Sequence, residues 1–200
     1  MAGLKGAAPF NELSFGEPAE VRQLTATMLT ISRIKDVRTE AAWLLALAGD
    51  DSRAQALADE IAKEFPEDTS VRLSFLPTIG AQLALNRKDP ARAIELLEAA
   101  APTEMSLGGF GPPYLRGQAY LMQRDGNRAA AEFRKILDHR WLVMMDWKGA
   151  LARLGLARAY AMQGDTAKAK AAYQDFLTLW KDADPDVPIL IAAKAEYAKL

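Results

Sequence analysis

The stretch GALARLGLARAYAMQGDTAKAKAAYQDFLTLWK, from Gly149 to Lys181, decides the fold. It reads as two amphipathic helices joined at Gly164 and Asp165, with apolar residues returning at helical spacing on either side. The block before it has the same register. Ala119 and Tyr120 match Ala159 and Tyr160, Asp125 matches Asp165, Ala129 matches Ala169, Phe133 matches Tyr173 and Leu137 matches Leu177, without a gap. A small residue opens the inner stripe of each second helix at Val21, Ala54, Ala93, Ala129 and Ala169, at intervals of 33, 39, 36 and 40. A small side chain there lets the two helices of a hairpin approach closely. Four residues further on stand Thr25, Ala58, Leu97, Phe133 and Tyr173, whose bulky members suit a hairpin core and whose threonine is a poor match. Self-similarity at this period is the mark of a solenoid. The expected architecture is all-α, a right-handed superhelical solenoid of about five helical hairpins with a C-terminal capping helix.

Working outward, the hairpins are expected at about 5–32, 36–65, 70–101, 112–139 and 147–181, with the capping helix at about 187–199, all in a single domain spanning 1–200. Pro9 breaks the first helix, because an interior proline removes a hydrogen bond and clashes with the preceding turn. Pro18 suits a first helical position. Asp36 is expected to cap the next helix, Gly49 to end it, and Asp50 or Asp51 to start its partner. Asp68, Thr69 or Ser70 begins the third pair, and Pro77 either kinks that helix or marks its start. Asp89 with Pro90 reads as a cap followed by a preorganised first turn. APTEMSLGGFGPPY, at 101–114, holds three glycines and three prolines and predicts a surface loop. Its glycine spacing fits no phosphate-binding fingerprint, and no strand precedes it. Leu190, Ala193 and Tyr197 give the last helix the apolar face a terminal lid requires.

Composition narrows the function. Half of the 200 residues are apolar, enough for one sizeable core, and no run reaches the roughly 18 apolar residues of a membrane span. Twenty-five basic residues are interspersed with 26 acidic ones, which excludes a charge footprint for nucleic acid or an anionic membrane. With no cysteine and one histidine, neither a thiolate mechanism nor a zinc site is expected, and no cofactor is implied. No export signal is visible in MAGLKGAAPF, which is compatible with a cytoplasmic location.

With Gly164 at the hairpin turn, Leu156, Ala157, Tyr160, Ala169 and Tyr173 fall where a tetratricopeptide repeat carries its leucine, small, aromatic, alanine and aromatic residues, so the chain resembles that family. The repeat period is about 34 residues, and the excess here belongs in loops or lengthened helices. More narrowly, ILDHR at 136–140, LGLARAYAMQGDTAKAKAAYQDFLTLWKDADPD at 154–186 and AKAEYAKL at 193–200 resemble the C-terminal repeat region of bacterial eukaryotic-like serine/threonine kinases. That resemblance implies a sensing or docking module attached to a kinase. Kinase activity does not carry over, since no nucleotide-binding glycine loop, HRD or DFG motif occurs. The chain departs from the family at WLVMMDWKG (141–149), at Ile191 and Ala192, and in the first hairpins at TATMLTIS and Trp43. These departures suit a repeat domain redesigned to present a new apolar surface as well as natural variation.

Two surfaces are candidates for a protein or peptide partner. One is the cluster Trp141, Leu142, Val143, Met144, Met145 and Trp147, which occupies an interval where the repeat needs fewer residues. An early start of the following helix accounts for Val143 or Met144, Trp147, Leu151 and Leu154 as core, and leaves Trp141 and Met145 on other faces. Tryptophan with methionine also suits a binding hot spot or a self-association patch, which Ile191 would extend. The other surface is the concave groove lined by first helices, with Trp43, Gln82, Gln118 and Arg158 at one repeated position and Thr39, Thr78, Tyr114 and Leu154 at another. Catalysis is not expected: His139 stands alone, Asp138 ends a helix, and Asp146, which would become a base only if Met145 and Trp147 buried it, is expected to turn outward to water.

Overall fold

The computed structural model describes residues 18–104, 110–139, 141 and 147–200. Among them are ten α-helices and no strand: α1 (Pro18–Ile31), α2 (Lys35–Leu47), α3 (Asp51–Glu64), α4 (Leu76–Asn86), α5 (Pro90–Glu98), α6 (Gly111–Met122), α7 (Gly126–Asp138), α8 (Trp147–Met162), α9 (Thr166–Leu179) and α10 (Pro188–Tyr197). The fold is an all-α solenoid. The break expected at Pro9 lies outside the described residues.

One two-residue turn builds each described hairpin. Gly49, Lys88, Arg124 and Gly164 have φ of 75°, 62°, 60° and 76°. The residue after each is an aspartate, whose N–H donates back to the preceding helix: Asp50 to Leu45 O at 2.9 Å, Asp89 to Ala84 O at 2.9 Å, Asp125 to Tyr120 O at 2.9 Å and Asp165 to Tyr160 O at 3.0 Å. These are the 6→1 bonds of a Schellman motif, which satisfy carbonyls that a helix end otherwise leaves open. The same aspartate then caps the next helix. Its carboxylate accepts from the N–H of Arg53, Arg92, Arg128 or Lys168 at 3.4, 3.0, 3.0 and 3.1 Å respectively.

The small residues that open each second helix, Val21, Ala54, Ala93, Ala129 and Ala169, are all buried, as are Thr25, Ala58, Leu97, Phe133 and Tyr173 four residues on. Thr25 fits because its hydroxyl donates within its own helix, 3.0 Å from Val21 O and 3.0 Å from Arg22 O. Each first helix packs on its hairpin partner and on the first helix of the next hairpin, α2 on α4, α4 on α6 and α6 on α8, which is how a solenoid propagates. The tightest contact is Phe133, fully buried in α7, with its ring lying against Gly117 of α6 and Gly155 of α8. A methyl group at Gly117 would stand 2.7 Å from that ring, and one at Gly155 would collide with it. At the open end α10 closes the stack on α9 with Leu190 and Ala193 buried.

Two local expectations are corrected, and a third is decided between its alternatives. Asp36 is not the cap of α2: the helix starts at Lys35 after Ile34, which makes no side-chain cap, and Asp36 sits in the first turn where a negative charge suits the helix dipole. Of the two alternatives for Pro77, the structure has the start: it stands in the first turn of α4, which begins at Leu76. A π-helical turn, Val71–Phe75, leads into it, and the widened turn makes room for the ring. Leu73 O, the carbonyl four residues before Pro77, instead accepts from the Thr103 hydroxyl at 3.4 Å. The segment at 101–114 is not simply surface loop. Ala101–Thr103 form a 3-10 turn, Glu104 and Phe110 are buried, and Gly111, Pro112 and Pro113 are the buried first turn of α6, where proline costs no hydrogen bond.

Two stability measurements follow from these contacts. Gly155→Ala gains up to about 1 kcal/mol of helix propensity, but forcing a methyl into the fixed ring of Phe133 costs about 1–3 kcal/mol. Urea unfolding is therefore expected to show a net loss. Lys88→Gly and Arg124→Gly relieve a left-handed side chain and are expected to raise stability by about 0.5–1 kcal/mol each, seen as a higher denaturation midpoint with unchanged slope.

Candidate interaction surface

The face lined by the first helices gathers aromatic side chains from three hairpins, of which only the two later ones are adjacent. Trp43 comes from α2, Tyr114 from α6 and Trp147 from the first residue of α8. The Trp147 ring lies 5.3 Å from Tyr114, edge on at 81°, and 6.0 Å from Trp43. Lys148 places its Nζ 5.0 Å from the centre of the Trp43 ring and 4.9 Å from that of Trp147, within range of a cation–π attraction to both indoles. Gly111 at the start of α6 makes the space. A methyl group there would stand 3.2 Å from Thr78 Cγ2 and 3.7 Å from Trp43 Cη2. Burial pushes the Tyr114 phenol up to about 12, against the hydrogen bond with Gln118 and the charge of Arg158.

This arrangement changes the two expected surfaces. Trp147 and Tyr114 are each only 8% exposed, so neither is an open contact residue. Thr39, Thr78 and Leu154, expected along the groove, are buried as well. The two threonine hydroxyls donate to carbonyls of their own helices, at 2.6 Å to Lys35 O and 2.7 Å to Ser74 O. Gln82 donates to Asn86 at 2.9 Å, and Asn86 bridges to Ala46 O and to Asp51 at 2.7 Å each, so this amide ties α4 to the second hairpin. Trp43 is half-buried. Because Trp43 and Trp147 touch, these two residues, one from each expected surface, belong to a single packed group. Trp141 is 68% exposed with its ring 6.0 Å from His139, and Ile191 is 52% exposed on α10. Leu142, Val143, Met144, Met145 and Asp146 lie outside the described residues.

Arg158 is also spoken for. Its guanidinium makes a two-pronged contact with Glu196 of α10, at 2.8 and 2.9 Å, and the Tyr173 hydroxyl donates to the same carboxylate at 2.8 Å. Burial opposes the charged form of Glu196, yet the hydrogen bond and charge of Arg158 outweigh it and hold the carboxyl below its usual range. A shallow depression of about 330 Å³ lies beside this pair, with Leu121, Arg124 and Met162 on its wall. Sequence reading missed a second ionic cluster. Arg116, buried in α6, contacts Glu104 and lies 3.0 Å from Glu132 of α7, and Lys135 reaches both carboxylates at 3.3 and 3.0 Å. Arginine between Leu115 and Gly117 on an inward face was the one local sign of it.

His139 Nδ1 stands 2.8 Å from Lys135 O, and Asp138 is the last residue of α7. Among the described residues no group of three His, Cys, Asp or Glu could hold a metal ion, and no helix is long and apolar enough to cross a membrane.

Residues 151–183 match the family described as tetratricopeptide repeat. This stretch is similar to a tetratricopeptide repeat. It covers α8 from its second turn, all of α9 and the turn between them, and contains the buried Gly155, Ala157, Ala169 and Tyr173. The repeat therefore begins four residues after Trp147. No curated protein and no solved structure matches the chain.

The Arg158 and Glu196 pair makes the seating of α10 sensitive to acid. A carboxyl held below its unfolded value stabilises the fold above about pH 4.3, and that contribution is lost as pH falls through the folded value. Protection of the α10 amides against hydrogen exchange is expected to fall as pH drops through the carboxyl range, in step with this titration. Glu196→Gln should remove the acid-dependent part and cost about 1–2 kcal/mol at neutral pH.

Proposed function

We propose that the chain is a non-enzymatic interaction module that takes a segment of a protein or peptide partner on its inner face. The observation that carries this reading is the convergence of Trp43, Tyr114, Trp147 and Lys148, from the second, fourth and fifth hairpins, on one point of that face. Aromatic anchors in a desolvated pocket are what binding hot spots are made of. The tetratricopeptide likeness of 151–183 supports the same class of function, since helical repeats work through the surfaces they stack. The likeness of 154–186 to the repeat region that follows bacterial eukaryotic-like kinases makes a docking or sensing role beside a kinase the natural setting. A second reading rests on Trp141, whose 68% exposure is unusual for an indole. In it a redesigned or naturally varied repeat binds a protein, or a second copy of itself, through Trp141 and Ile191.

Selection from a displayed random peptide library separates the two. On the first reading, selected peptides lose about tenfold or more in affinity when Trp43→Leu thins the aromatic cluster, a loss of about 1.4 kcal/mol, and Trp141→Ala leaves them unaffected. The reverse pattern, or a concentration-dependent dimer abolished by Trp141→Ala in sedimentation, would favour the second. Melting curves of each variant establish that the fold survives.

A further inference from the structure

We propose that the depression beside the Arg158 and Glu196 pair is a second docking point, which takes one large apolar side chain of a partner segment while an acidic residue next to it meets Arg124. The inference rests on the reading of the chain as an interaction module, but it uses no residue of the aromatic cluster.

The apolar lining comes from two consecutive first helices, Leu121 from α6 and Ala161 with Met162 from α8. At about 330 Å³ the depression is at the small end of ligand pockets, so it holds one side chain laid in from a passing segment. Met162 is 38% exposed, and a thioether on an unbranched stem adjusts to whatever lies on it.

Charge selects the neighbour of that side chain. Arg124, Arg158, Tyr173 and Glu196 complete the lining. Glu196 is already served: it accepts from Arg158 at 2.8 and 2.9 Å and from the Tyr173 hydroxyl at 2.8 Å, so it calls for no cation from a partner. Two guanidiniums against one carboxylate leave the lining with one positive charge in excess, and Lys199 acts on Glu196 from the same side of the balance. The excess charge is Arg124, which is exposed and makes no ion pair among the described residues. Asp125 beside it is taken, pairing with the Arg128 guanidinium at 3.1 Å and capping α7.

The corner also fixes where that charge is offered. Arg124 has φ of 60°, its N–H donates to Leu121 O at 3.0 Å, and Asp125 closes the 6→1 bond behind it. The direction in which the side chain leaves the backbone is therefore set before a partner arrives. Gly49 and Gly164 hold the same place at two other corners and offer no side chain, while Lys88 carries a cation at the remaining corner but does not line the depression. An apolar side chain seated on Leu121, Ala161 and Met162 keeps water from an ion pair at its rim, which lifts that pair above an ordinary surface contact.

The test selects peptides from a displayed random library on the full chain, makes them with both ends capped and titrates them by fluorescence anisotropy. A class with aspartate or glutamate next to a large apolar residue is expected, weakened about fivefold or more by Arg124→Gly and by Met162→Ala. Lys88→Gly, which removes the same charge from another corner, should leave these peptides unaffected. Replacing the peptide's acid by its amide should cost a similar factor, and the Arg124 effect should shrink at about 1 M salt. Arg124→Gly is expected to be more stable than the parent, so a denaturation midpoint that does not fall separates loss of contact from loss of fold. Arg124-dependent peptides without an acidic residue, or ones that bind only with a free C-terminus, overturn the inference. So does a dimer of the parent chain in sedimentation that Arg124→Gly dissociates, which would name a second copy as the occupant. Trp43-dependent peptides with no Arg124-dependent class would sink this inference and leave the aromatic cluster standing, and the absence of both kinds would sink both.

Discussion

Everything in this molecule is hung on a turn of two residues. A left-handed residue ends the first helix, and the aspartate after it closes the Schellman bond behind and caps the helix ahead. One side chain thus satisfies backbone groups on both sides of the corner, so the hairpin has no loop in which to wander. The rotation between hairpins is then set by how closely the helices meet, which the alanines at 54, 93, 129 and 169 control. Two corners use glycine. The other two hold Lys88 and Arg124 at positive φ, a strain that the surrounding bonds impose on the backbone.

Between the α6–α7 and α8–α9 hairpins the spacing is fixed by absence of side chains. Phe133 fits only because Gly117 and Gly155 face it from both neighbouring first helices. The same hairpin carries the buried Arg116 with Glu104, Glu132 and Lys135, two positive and two negative groups in mutual contact. A buried charge needs partners of this kind, and removing one leaves the others costly. Glu104 directly follows the 3-10 turn Ala101–Thr103, so the cluster fastens the end of that turn to α6 and α7.

Features that arise within one hairpin were legible in the sequence. The caps at Asp50 and Asp89, the small residues of each second helix and the apolar face of the last helix all express local spacing, and they sit where that spacing puts them, whereas Asp36 does not cap its helix. The composition of 101–114 misled because glycine and proline mark turns, whereas Phe110 and Glu104 decide burial through partners elsewhere in the chain. Thr39, Thr78 and Tyr114 were placed on the correct helices but as open surface. Whether such a face is open depends on what lies across it, and no periodicity records that. The meeting of Trp43 with Trp147 is the same kind of fact, set by the accumulated turn of the stack.

That meeting also alters how the stack behaves as a whole. In a solenoid each unit touches only its neighbours, and stability is close to a sum of nearest-neighbour terms. Here an indole from α8 packs on one from α2, with two hairpins between them, while Trp43 lies against both core clusters. Widening the inner face must therefore break a contact between distant units instead of being spread as small strains over each interface. The stack is consequently stiffer in its curvature with this contact made than without it, and whatever occupies the place between Trp43 and Tyr114 sets the shape of the face around it.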